Sequence, residues 1–67
     1  MNIPSIGTKI AELRKQKGVT QEEMGNVIGT SAQAISKWEC GKNYPDIELL
    51  PTIADYFTVT IDSLFRV

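Results

Sequence analysis

Apolar residues recur along the chain at helical spacing and nowhere alternate with polar ones as a half-buried strand requires. Ile6, Ile10 and Leu13 fall at i, i+4 and i+7 and make the stripe of a first helix, PSIGTKIAELRKQKG. Pro4 or Ser5 suits its start. Gly18, preceded by Arg14, Lys15 and Lys17, suits its C-terminal cap. A second helix, TQEEMGNVI, opens on Thr20 and Glu23 at the spacing of a capping box, with Met24 and Ile28 as its core pair. Ser31 is placed to cap a third, AQAISKWE, whose apolar positions are Ile35 and Trp38. CGKNYP then forms a loop, where Gly41 allows a positive φ and Pro45 keeps Tyr44 out of the helical region. Asp46 is expected to cap a fourth helix with Ile47, Leu50, Ile53, Ala54 and Phe57 on one face. Pro51 falls about one turn inside it and predicts a slight bend. Thr60 is placed to cap a short fifth helix carrying Ile61, Leu64 and Phe65. The pattern predicts an all-α fold, a compact five-helix bundle, with residues 1–67 as one domain.

The second helix accepts glycine at Gly25 and again reaches one at Gly29, although glycine costs a helix interior about 1 kcal/mol relative to alanine. Only Gly29 and Thr30 separate the second and third helices. So sharp a turn needs a residue in the left-handed region, which glycine enters without a Cβ clash. Gly25, four residues earlier, stands on the face that meets the crossing, where the second helix needs a small residue towards the third. Together the two glycines suggest a helix-turn-helix over about residues 21–39, with helices crossing near 90–120°. A plain helical hairpin without a ligand has the same glycine spacing.

Composition narrows the chemistry. The chain has no histidine and one cysteine, so it lacks the usual general base, an internal disulfide and the ligands of a zinc site. No nucleophile with a base partner and no phosphate loop occurs, which argues against an enzyme, and no cofactor or metal is implied. No apolar run approaches the roughly 20 residues that span a bilayer, and neither a basic n-region nor an apolar h-region of a signal peptide is visible in the first residues. These features predict a reduced, soluble, cytoplasmic protein without a membrane partner. The formal net charge is −1. Residues 1–45 hold six lysine and arginine residues against four carboxylates; residues 46–67 hold one against four. A basic face is compatible with that asymmetry, and so is ordinary solvated charge.

The segments IAELRKQKGVTQEEM, IGTSAQAISKWECGK and YPDIELLPTIADYF followed by VTIDSLF resemble the lambda-repressor-like helix-turn-helix family, also called the Cro/cI or xenobiotic-response-element type. The resemblance runs from about Ile6 to Phe65 and includes the order and spacing of all five helices. It implies a five-helix DNA-binding domain whose third helix enters the major groove. It also implies a bacterial or phage transcription regulator, a repressor by preference, acting as a homodimer on double-stranded DNA. The exposed end of the fifth helix, Leu64, Phe65 and Val67, is the expected dimer patch.

The resemblance also assigns residues. Gln21, opening the second helix, corresponds to a phosphate contact, and a helix N-terminus suits an anion. The third helix is capped by Ser31, a further backbone contact. It offers Ala32, Gln33, Ser36 and Lys37 to base edges. Gln33 can pair bidentately with adenine, Lys37 can reach guanine or a phosphate, and Ala32 can offer only an apolar contact, as to a thymine methyl. Lys42 and Asn43 correspond to backbone contacts, which position the domain but read no sequence. On an exposed helix face such residues are commonly just solvated, and it is the resemblance that favours contact. Trp38, three residues after Ile35, belongs to the core. Arg14 and Glu39 correspond to a partly buried ion pair that fixes the recognition helix.

Three positions depart from the family pattern. Cys40 stands where asparagine is common, which puts one phosphate contact in doubt; an inert thiol is expected there. Thr58 replaces a glycine at the end of the fourth helix. Threonine is strained in the left-handed region, so another cap geometry is expected. Val27 stands where a charged residue is common and is expected as a single exposed apolar spot. The near-neutral charge and Ala32 leave a second reading open: a protein-interaction module on the same fold, such as an antitoxin or anti-repressor.

Overall fold

The computed structural model describes residues 6–66. It has five α-helices: α1 (Ile6–Lys17), α2 (Gln21–Ile28), α3 (Ala32–Glu39), α4 (Leu50–Phe57) and α5 (Ile61–Leu64). No strand occurs among the described residues. Pro4 and Ser5, the expected start of α1, lie outside them.

Local chemistry sets most helix ends. Thr20 Oγ1 accepts from the Glu23 N–H at 3.0 Å, and Glu23 Oε1 accepts from the Thr20 N–H at 2.9 Å, closing the capping box of α2. Ser31 Oγ accepts from the Ala34 N–H at 3.1 Å, and Thr60 Oγ1 from the Ser63 N–H at 3.1 Å, at the starts of α3 and α5. Each satisfies a donor that a helix start leaves without an intrahelical partner. Gly29 ends α2 at φ 84°, ψ 34°. Its N–H and that of Thr30 both donate to the Gly25 carbonyl at 2.9 Å.

Two glycines permit close backbone approach. A Cβ at Gly25 would lie 2.5 Å from the Thr30 carbonyl oxygen. Gly25 therefore faces the backbone of the turn into α3, rather than a side chain of α3. A Cβ at Gly7 would lie 1.6 Å from the Trp38 carbonyl oxygen, so α1 is pressed directly on the last turn of α3.

The core is Ile6 and Ile10 of α1, Met24 and Ile28 of α2, Ile35 and Trp38 of α3, Ile53, Ala54 and Phe57 of α4, and Leu64 of α5. Five of these, Ile10, Met24, Ile35, Ile53 and Leu64, are fully buried. Every helix thus contributes to one core, the arrangement that lets helices this short persist.

The fourth helix differs from expectation. Ile47–Leu49 form a separate 3-10 turn, and α4 begins only at Leu50. Pro51 therefore lies in the first turn of α4, where its missing N–H removes no intrahelical bond, and not one turn inside a longer helix. Asp46 precedes the 3-10 turn without a side-chain capping bond. Ile47, expected on the core face, is 80% exposed because the 3-10 turn rotates it away. Thr58 also overturns an expectation. It does adopt the left-handed conformation, φ 54° and ψ 44°, at the end of α4. Its hydroxyl donates to the Phe57 carbonyl at 2.6 Å, and the Val59 N–H closes on the Ala54 carbonyl at 2.9 Å. Leu64, expected at an exposed end, is fully buried. In a four-residue helix the single core-facing position must carry the whole attachment. Phe65 and Ile61 are exposed, and Val67 lies outside the described residues.

Candidate nucleic-acid interface

The face of α3 opposite Ile35 and Trp38 carries the candidate base-reading residues. Gln33 and Lys37 are exposed; Ala32 and Ser36 are half-buried. Gln33, Ser36 and Lys37 stand at i, i+3 and i+4, so one helical face presents all three. Ala32 stands at the N-terminus of the helix, and Ser31 just before it. The Ser31 oxygen accepts the Ala34 N–H, which leaves the hydroxyl proton free to donate outward. Lys42 and Asn43 are exposed in the loop after α3. The Lys42 N–H donates to the Lys37 carbonyl at 2.9 Å, tying that loop to the helix, and Asn43 Oδ1 accepts from the Tyr44 N–H at 3.3 Å. Cys40 follows α3 as an exposed free thiol. Val27 is exposed on α2, the single apolar spot expected there.

Behind this face lies a polar network. Arg14 Nε donates to Glu39 Oε2 at 2.7 Å and Arg14 Nη2 to Oε1 at 3.1 Å, a bidentate pair. Their side chains are only 14% and 10% exposed. The remaining nitrogen, Nη1, donates to the Val19 carbonyl at 2.9 Å, in the link between α1 and α2. Burial pushes the Glu39 carboxyl up, but hydrogen bonds from Arg14 and Gln21, with the charges of Arg14 and Lys15, outweigh it and hold the group below the usual value. The hydrogen bond to Glu39 raises the Arg14 guanidinium further above neutrality, although burial opposes it.

Gln21 joins this network in a way that spacing alone does not suggest. Its Nε2 donates to Glu39 Oε1 at 3.1 Å, so the start of α2 is fastened to the end of α3. The two residues are 18 apart, and no local sequence signal links them. The second Nε2 hydrogen and the amide oxygen remain for other partners. The structure thus brings Arg14, Gln21 and Glu39 together at one end of α3, while Gln33, Ser36 and Lys37 share its outer face.

Comparison with known proteins agrees with this architecture. The helix-turn-helix family profile matches residues 10–64. The HTH-type transcriptional activator BcrR of Enterococcus faecalis is 48% identical over 56 residues, covering 84% of this chain and 28% of BcrR. The cryptic phage CTXphi transcriptional repressor RstR of Vibrio cholerae is 37% identical over 59 residues, covering 88% of this chain and 53% of RstR. The chain thus spans about a quarter to a half of the length of these relatives. Among solved structures, the P22 c2 repressor protein in complex with a synthetic operator superimposes with a TM-score of 0.88 at 28% identity, covering 94% of this chain and 96% of that one. With the family profile spanning α2, α3 and most of the remaining bundle, this chain belongs to the lambda-repressor-like helix-turn-helix family.

Proposed function

We propose that the chain binds double-stranded DNA sequence-specifically as a transcription regulator, with α3 in the major groove. The observation that carries this reading is the solvent-facing row of Gln33, Ser36 and Lys37 on a helix whose other face is locked into the core, in a fold matching an operator-bound repressor over 94% of this chain. In this reading Gln33 pairs with adenine N6 and N7. Lys37 reaches guanine or a phosphate, Ser36 a base edge, and Ala32 a thymine methyl. Gln21, Ser31, Lys42 and Asn43 hold the phosphate backbone. The free hydrogen of the Gln21 amide suits that role even with the other engaged by Glu39.

Repression is the sign we infer, since a domain seated on an operator excludes other proteins from it. RstR and P22 c2 are named repressors, whereas BcrR is named an activator. The chain acts as a homodimer on a pseudo-palindromic site with half-sites about 34 Å apart, and works in the cytoplasm. Exposed Ile61 and Phe65 on and beside α5 supply apolar surface for the pairing.

Selection of sites from a random duplex pool, run beside Gln33→Ala, tests the proposal. A two-fold symmetric motif, relaxed at one position per half-site in the variant, is the expected result. A folded protein that enriches nothing would move the reading to a protein-interaction module.

A further inference from the structure

The recognition helix is held at its two ends by different partners. At its start, the left-handed turn at Gly29 and the Gly25–Thr30 approach tie it to α2. At its end it rests on α1. A Cβ at Gly7 would lie 1.6 Å from the Trp38 carbonyl oxygen, 2.6 Å from the Trp38 carbonyl carbon and 3.2 Å from Glu39 Cα. All three are backbone atoms, so no rotamer change relieves the overlap. Two turns further along α1, Arg14 grips the Glu39 side chain in the bidentate pair. Gly7 and Arg14 are seven residues apart and lie on one face of α1. They hold the same end of α3, one through its backbone and one through its last side chain.

We infer that Gly7 is a positioning residue for base readout: it sets the tilt of α3 by letting α1 touch the Trp38 carbonyl. The inference rests on the DNA-binding reading above. An eight-residue helix is about 12 Å long. Making room for a methyl group at Gly7 displaces the end of α3 by about 1.5 Å, a tilt of roughly 7°, estimated from that length. Lys37 stands near the displaced end and Gln33 near the pivot, so their relative reach changes by more than the roughly 0.5 Å span of good hydrogen-bond distances. A phosphate contact made by a long lysine such as Lys42 absorbs such a shift better than a paired base-edge contact does.

The test compares binding of the chain to its selected duplex and to a scrambled duplex of equal length. Gly7→Ala is made in a Thr58→Gly background, which relieves the left-handed threonine at the end of α4. Ile10→Val, a core truncation on the same helix, serves as the destabilised control. Melting curves fix a temperature at which every variant is folded. The expected result for Gly7→Ala is a roughly tenfold or greater loss of the specific-to-scrambled ratio, with scrambled binding within about twofold of wild type. Ile10→Val should keep the ratio. An unchanged ratio in Gly7→Ala, or an equal loss in Ile10→Val, overturns the inference while leaving the DNA reading intact. Should Gly7→Ala not fold even in the Thr58→Gly background, Arg14→Lys decides, because it loosens the other grip on the same end. A specificity ratio kept by Arg14→Lys then overturns the inference, and a comparable loss supports it. Failure of the wild-type chain to select any sequence instead defeats the DNA reading itself.

Discussion

Arg14 and Glu39 lie 25 residues apart and meet in a two-point ion pair, at 2.7 and 3.1 Å, that fastens α1 to the end of α3. Their side chains are largely shielded, and the carboxylate also takes the Gln21 amide. Removing Glu39 leaves a buried guanidinium with only the Val19 carbonyl, and such a loss costs several kcal/mol when the pair is well shielded. Glu39→Ala should lower stability by about 2–4 kcal/mol, read from urea melts. A loss under about 0.5 kcal/mol would mean that the pair is decorative.

The same carboxylate gives a pH signature. Its native value lies below its unfolded one, so between the two the unfolded chain binds more protons than the native one. The stabilisation is therefore complete above the ordinary carboxylate range and is lost as pH falls through the native value. The gap in melting temperature between wild type and Glu39→Gln should be full at neutral pH and should shrink only in acid. A gap that is constant from neutrality into strong acid would show that the charge of Glu39 contributes nothing.

Gly25 and Gly29 should respond differently to alanine. Gly29 has nothing within 4 Å of where a Cβ would stand, so Gly29→Ala suffers from its positive φ alone, about 1–2 kcal/mol. Gly25 has an ordinary helical place but a carbonyl at 2.5 Å, which must move. Gly25→Ala should cost about 2 kcal/mol or more and should also weaken DNA binding, since the displaced turn leads into α3. Equal, purely thermodynamic effects of both substitutions would contradict this division of roles.

Thr58→Gly should raise stability by about 0.5–1 kcal/mol. Relief of the left-handed strain exceeds the added chain entropy of glycine and the loss of the hydroxyl bond to Phe57. A measurable fall in the thermal midpoint would show that the hydroxyl bond matters more than the strain.

Lys42 and Gln33 should separate in a salt titration. Lys42→Ala, if it removes one phosphate contact, should flatten the dependence of log affinity on log salt by about 0.9. Gln33→Ala should change base preference and leave that slope alone. The opposite pattern would exchange their roles.

These residues also mark how far the fold could be read in advance. Thr20, Glu23, Ser31 and Thr60 act within three residues of themselves, so their caps were visible as spacing. Met24, Ile28, Ile35 and Trp38 follow the helical period and are buried. The Arg14–Glu39 pair came from family likeness, because no local rule joins residues so distant. Periodicity misled at Ile47, where a change from α to 3-10 winding alters the phase of the face. Leu64, assigned to the dimer patch, is instead the residue by which the four-residue α5 reaches the core. Gly7 carried no signal, since a glycine in the first turn of a helix looks like a mere weakness until the neighbouring carbonyl is seen. For the interface, the outward face of α3 was legible from its polar positions, whereas the engagement of Gln21 by Glu39 depends on tertiary contact.

α2, α3 and α4 are eight residues each, below the roughly 12–15 at which isolated helices persist in water. The surface carried by α3 is therefore a property of the assembled core, not of the segment that displays it. An excised α3 peptide should be a coil, and amide hydrogen exchange at Ile35 and Trp38 should follow global opening, with no separate, earlier release of the helix. The protein then has no half-folded form that still displays the surface. Its interface is present in full or absent, and occupancy by a ligand of that face protects the whole chain at once.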